Sequence, residues 1–109
     1  MSINKLVIDT LKPLGAPVAF QEYTGTETTY ITFFEYNQRG DLFADNEEQT
    51  TIHSIQIDVF SKSNYETLVE QVKQNLKAQG FIRTSEMDLY ESNLKLFRKT
   101  ISFQAILPN

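Results

Sequence analysis

His53 is the only imidazole in the sequence, so any Ser–His–acid chemistry would have to be built on it. It falls near the start of a run in which Ile55, Ile57 and Val59 alternate with Ser54, Gln56 and Asp58. That places it on a strand at a sheet surface. No G-x-S-x-G elbow accompanies it to present a nucleophile. Asp41, Asp45, Glu47 and Glu48 crowd one polar segment and could meet a hard cation. Their spacing lacks the alternating ligands and closing bidentate Glu of an EF-hand loop, so they read as a solvated acidic loop. A carboxylate pair for glycoside hydrolysis could be drawn from the nine glutamates, but nothing singles out two of them. Arg39-Gly40-Asp41 spells the tripeptide read by integrins. In a chain without cysteine or a secretion signal it reads as chance, with Gly40 the flexible point of the loop. Lys95, Arg98 and Lys99 make a small basic cluster near the end of the chain. Three cations without a basic surround are a weak nucleic-acid face. They could also protect an edge strand from unwanted pairing, or pair with the acidic segment of a neighbouring copy in a head-to-tail contact. No catalytic group, metal site or cofactor is expected from any of these constellations.

The 109 residues are one domain's worth of chain, residues 1–109, with 40% apolar and 22% charged residues. A chain of this size buries roughly two-thirds of its unfolded surface, enough for one core without staples. There is no cysteine, which excludes disulfide scaffolds, Cys-based zinc sites and thiol catalysis. The net charge of −4 argues against a free-standing nucleic-acid binder. No apolar run approaches the roughly 20 residues needed to span a bilayer. No signal-peptide block follows the N-terminus, so the expectation is an intracellular, soluble protein without membrane contact.

Seven elements position these residues. Ile3, Leu6, Val7 and Leu11 form a helical stripe after Ser2, a plausible N-cap. Pro13, Gly15 and Pro17 end it. Val18 to Tyr23 and Thr28 to Tyr36 read as strands, the second rich in Thr, Tyr, Phe and Ile. Residues 37–50 are polar and acidic and read as a long mobile hairpin loop, the kind of segment that often carries function. Thr51 to Ser61 is the clearest strand. Ser63 and Glu66 have capping-box spacing ahead of a helix whose buried stripe is Tyr65, Leu68, Val69, Val72 and Leu76. Gly80 reads as its left-handed C-cap, with Phe81 making the accompanying apolar contact. Phe81 to Leu89 and Leu94 to Leu107 close the chain as a hairpin. In the last strand Phe97, Ile101, Phe103, Ala105 and Leu107 share one side, interrupted by Lys99. The order is α-β-β-β-α-β-β. Short links make the sheet of about five strands mainly antiparallel, and both single-striped helices belong on one face. The fold class is α+β in two layers.

The order and spacing of these segments carry a resemblance. They are Leu6 to Val18; Thr29-Tyr30-Ile31-Thr32-Phe33 before a loop; Ile55-Gln56-Ile57-Asp58-Val59-Phe60-Ser61; the helix from Tyr65 to Gln79 with its Gly80-Phe81 exit; and Asp88-Leu89-Tyr90-Glu91 followed by Phe97-Arg98-Lys99 and Phe103. Together they resemble the small tail-terminator (tail-completion, head–tail joining) proteins of long-tailed bacteriophages and prophages, over nearly the whole chain. Phe60 stands where that family often has Trp. The resemblance implies a structural virion protein of the tail, assembled in the bacterial host cytoplasm. Such proteins form a ring, typically of six copies, on the head-proximal end of the tail tube. The ring stops tube polymerisation and presents a surface to the head connector, and DNA later passes through its lumen without specific binding. It implies no enzyme chemistry. It also favours the head-to-tail reading, with Arg39, Asp41, Asp45, Glu47 and Glu48 meeting Lys95, Arg98 and Lys99 of the next copy for ring closure or docking to the tube. A head-completion or neck protein of the same particle is the nearest alternative, and a small α+β binding module is the other.

Overall fold

A computed structural model describes residues 2–44 and 47–108. Helix α1 (Ile3–Leu11) starts as expected, with Ser2 Oγ accepting the Lys5 amide at 3.3 Å. Ile3, Val7 and Leu11 are its buried residues. A 3-10 turn over Lys12–Leu14 ends at Gly15, whose φ of +90° only glycine adopts without strain. Strands β1 (Val18–Phe20), β2 (Tyr30–Ala44) and β3 (Glu47–Ser61) follow, then helix α2 (Glu66–Ala78) and strands β4 (Ile82–Glu91) and β5 (Leu96–Pro108). The architecture is α+β in the expected element order.

The strands lie in the order β1-β2-β3-β5-β4. Three of the four pairings are antiparallel. β1 instead runs parallel to β2, with Val18 opposite Ile31 and Phe20 opposite Phe33, so the sheet is mixed. A parallel return ordinarily needs a crossover of about a dozen residues. Here β1 is three residues long and advances only about 10 Å, so residues 21–29 suffice. Gln21, at φ +64°, turns the chain out of β1 while its amide donates to the Phe33 carbonyl at 2.8 Å.

The segment expected as a mobile loop is strand for most of its length. β2 and β3 stay paired out to Ala44 opposite Glu47, with register shifts at Glu35/Asn37, Gly40/Leu42 and Leu42/Phe43. Backbone pairing needs no apolar side chains, and bulges let a polar ribbon bend and twist. At about 3.3 Å per residue, a 15-residue strand accounts for the 52 Å long axis of a molecule only 25 by 23 Å across. The hairpin is thus an arm.

One core lies between the sheet and both helices. Ile31, Phe33, Ile55, Ile57, Val59, Ile101 and Phe103 face Val7, Leu11, Val72 and Leu76, which puts both helices on the same face, as expected. α2 begins differently from expectation. The Ser63–Glu66 capping box does not form: the Ser63 amide donates to Ser61 Oγ at 3.2 Å, and Asn64 Oδ1 accepts the Glu66 amide at 2.8 Å. The helix begins at Glu66 with Tyr65 as its N-cap, two residues past Ser63, so Ser63 is not in the capping position. The other end matches expectation. Gly80 sits at φ +91°, its amide donates to the Lys77 carbonyl, and the Phe81 amide donates to the Leu76 carbonyl, both at 3.0 Å. Phe97 lies on the expected side of β5 but is 47% exposed, because the apolar stripe stops at Ile101 and Lys99 fills the place between. Leu96 is buried instead, on the opposite face, with Tyr30 and Phe60. Among the described residues no helix is long and apolar enough to cross a membrane.

Candidate interaction surfaces

The strand register separates the candidate residues into two ends of the sheet. Thr50 pairs with Pro108, and Ser61 pairs with Phe97. The acidic arm therefore points away from the β4–β5 turn that carries Lys95. On the arm, Arg39, Asp41, Glu47 and Glu48 are exposed. Thr50 Oγ1 donates to Asp41 at 3.4 Å, and Thr51 Oγ1 donates to Glu48 at 3.2 Å. Asp45 lies outside the described residues. Arg39-Gly40-Asp41 is part of β2, with Gly40 opposite Thr51. Among the described residues no group of three or more His, Cys, Asp or Glu side chains could hold a metal ion.

Arg98 and Lys99, adjacent in sequence, point to opposite faces of the sheet. On the face without helices, Arg98 Nε donates to Asp58 Oδ1 at 3.1 Å and Nη1 donates to Glu91 Oε1 at 2.5 Å. Its guanidinium lies 5.4 Å from the centre of the Phe60 ring. Burial lowers the Arg98 pKa, but the bonds to Asp58 and Glu91 outweigh it and hold the group above its ordinary value. Asp58 is 3% exposed and also accepts from Thr100 Oγ1 at 2.7 Å and from Gln56. On the helix face, Lys99 Nζ meets Asp88 at 3.1 Å and Glu86 at 3.5 Å. Glu86 also binds Arg83 at 2.8 Å and Lys73 at 3.2 Å. The Arg83 bond is the main reason its carboxyl titrates at about 2. The Tyr65 hydroxyl donates to Asp88 at 2.9 Å. It lowers the Asp88 carboxyl, while burial and Asp88 push Tyr65 up to about 12. Arg98 and Lys99, two of the three cations of the predicted basic cluster, thus have acidic partners in their own chain, and none of those partners lies between Asn37 and Thr50. Lys95 differs: it is exposed in the turn at φ +55°.

His53 Nδ1 pairs with Glu35 at the base of the arm, both side chains mostly buried. Triad chemistry would need a hydroxyl on the other ring nitrogen, and none is bonded there among the described residues. A surface groove of about 590 Å³ between α2 and β4 is lined by residues including Glu70, Lys73, Lys77, Phe81 and Arg83. Glu86 already engages Lys73 and Arg83.

Sequence reasoning missed the apolar surface of the last hairpin. Met87 is 59% exposed, Tyr90 55%, Leu94 55% and Phe97 47%. The signal was present: β4 alternates Met87 and Leu89 with Glu86, Asp88 and Tyr90, which gives an edge strand apolar side chains on both faces.

No protein-family model and no curated protein matches the sequence. The fold does match solved structures. One is a chain of the virion of native gene transfer agent (GTA) particle. It superposes with a TM-score of 0.61 at 14% identity, covering 94% of this chain and 92% of that one.

Proposed function

We propose that this chain is a structural component of a phage-like particle and that it acts there as a tail terminator. In this reading six copies form a ring on the head-proximal end of the tail tube, stop tube polymerisation and present the joining surface to the head. The observation that carries the proposal is the fold shared over nearly the whole length with a chain of a gene transfer agent virion. The order of its sequence segments supports the finer assignment. So does the mixed sheet, whose one face is free of helices and whose two ends differ in charge. An acidic protein around a DNA conduit repels phosphates, so DNA slides without sticking. The reading gives the chain no catalytic step, and neither metal nor cofactor is needed for it.

Light scattering across concentration, with negative-stain imaging of the large species, tests the ring. Closed rings with a central hole are expected, alone or on added tail tubes. A two-fold dimer that ignores tube ends would overturn the proposal. Particles lacking the chain separate this role from that of a neck protein: overlong or headless tails fit a terminator, and complete tails beside unjoined heads fit a neck protein.

A further inference from the structure

The two ends of the sheet are complementary. Between Gln38 and Thr50 the sequence holds four acids and one arginine. Asp41 meets only a threonine hydroxyl, and neither it nor Glu47 has a cationic partner among the described residues. At the far end, the Tyr90 and Phe97 rings meet edge-on with centres 5.3 Å apart, each about half exposed. Lys95 lies between the two in the turn that joins their strands, and Lys62 follows Ser61, the residue opposite Phe97. Both lysines are exposed and have no acidic partner among the described residues, unlike Arg98 and Lys99. Exposed aromatic side chains with a charged rim are the composition of an interface centre. The patch cannot be covered by its own arm, since the two lie at opposite ends of a 52 Å molecule.

We infer that Asp41 and Glu47 on the arm of one copy dock beside the Tyr90–Phe97 pair of a second copy, held by its Lys62 and Lys95. The inference rests on the ring-forming reading above and names the surface that closes the ring. The contact joins unlike patches, so it passes from copy to copy instead of stopping at a pair, and it closes a ring when the rotation between copies closes.

The absence of native cysteine makes a crosslinking test clean. Glu47→Cys and Lys95→Cys are made in separate chains, mixed, and treated with a short bis-maleimide. A mixed dimer is expected as the main product, with little dimer from either variant alone. In parallel, Lys62→Glu with Lys95→Glu should weaken self-association about tenfold or more at low salt, and Asp41→Lys with Glu47→Lys in the partner should restore it. Like-with-like dimers as the main product, association indifferent to both reversals, or a chain that stays monomeric without mixed product would each overturn the contact. Capping of tail tubes is scored separately. Capping that survives loss of the contact leaves the terminator reading standing, and a mixed dimer without capping leaves the contact standing and removes that reading.

Discussion

Asp58 and Arg98 sit diagonally across β3 and β5 and close an ion pair, its carboxylate buried and its guanidinium partly so, on the face of the sheet that carries no helix. The register places Asp58 opposite Thr100 and Phe60 opposite Arg98, so the arginine reaches back along the strand, over the Phe60 ring, to its carboxylate. The Asp58 oxygens are further satisfied by Thr100 and Gln56. Buried charge is tolerated only when it is paired and hydrogen-bonded in this way. Arg98 therefore belongs to the fold first, whatever it contributes to assembly.

A double-mutant cycle on this pair should show strong coupling. Asp58→Ala removes the acceptor of four hydrogen bonds and should cost about 3 kcal/mol in urea unfolding. Arg98→Met leaves the carboxylate buried with neutral partners only and should cost about 2 kcal/mol. The double variant should cost at least about 1 kcal/mol less than the sum. Strict additivity would mean that the pair is a contact without energetic consequence.

Acid should weaken the protein through Glu86. Its carboxyl titrates at about 2 in the fold, chiefly because of the Arg83 bond and with Lys73 adding to it, against an ordinary value of 4.5. A depressed folded pKa gives stability that is complete above the unfolded value and is lost as pH falls toward the folded one. Asp88 shifts the same way, through the Tyr65 hydroxyl first. Urea midpoints should therefore drop between about pH 5 and pH 2, and Glu86→Gln should flatten that drop while lowering stability at neutral pH. An unchanged slope in the variant would assign the acid sensitivity to other carboxylates.

Alkali should act through Tyr65, whose hydroxyl burial and Asp88 push from 10.0 up to about 12. The sign is opposite for this group: the neutral form is favoured in the fold, so its contribution is whole below about pH 10 and fades as pH rises toward 12. Tyr65→Phe keeps the ring packing and should remove that alkaline loss. At neutral pH it should cost less than about 1 kcal/mol, since Asp88 is largely exposed. A wild-type-like alkaline fall in the variant would contradict this.

Particular residues show what was readable beforehand and what was not. Ser2, Gly15 and Gly80 announce turns and caps through local chemistry, and local chemistry decides them. The alternation of Ile55, Ile57 and Val59 names the core side because burial follows the pleat. Phe97 has the same alternation but stays exposed, since how far the helices cover a strand is a tertiary property. Residues 37–50 are too polar for their side chains to order them, but from Asn37 to Ala44 and from Glu47 to Thr50 the ribbon is held by backbone pairing, which side-chain polarity does not report. Asp58–Arg98 required the β3–β5 register, which no single strand encodes. The exposed pair Tyr90 and Phe97 depends on the β4–β5 register, which sets them opposite each other and which neither strand encodes alone.

Gly80→Ala should cost about 1 kcal/mol. A Cβ there meets nothing within 4 Å, so the loss is conformational, from holding φ near +91°. Unfolding in urea measures it. Because Gly80 belongs neither to the arm strands nor to the Tyr90–Phe97 patch, self-association per folded molecule should be unchanged. A neutral substitution would mean that the helix end relaxes to another turn.

Two neighbouring lysines should separate folding from assembly in one experiment. Lys99 lies between Glu86 and Asp88 and is mostly buried, so Lys99→Glu places a third carboxylate in that cluster and should cost about 1–3 kcal/mol. Lys95 is exposed in the turn, and surface reversals of this kind usually stay within about 0.5 kcal/mol. Urea unfolding should therefore distinguish the two variants in one order. Light scattering of the folded proteins at low salt should distinguish them in the reverse order, with Lys95→Glu the weaker self-associator. Should Lys99→Glu unfold like the wild type while abolishing association, Lys99 would have to face the neighbouring copy. The ion pairs to Glu86 and Asp88 would then be contacts that assembly exchanges, and the closing surface would extend from Phe97 along the same face of β5 to Lys99.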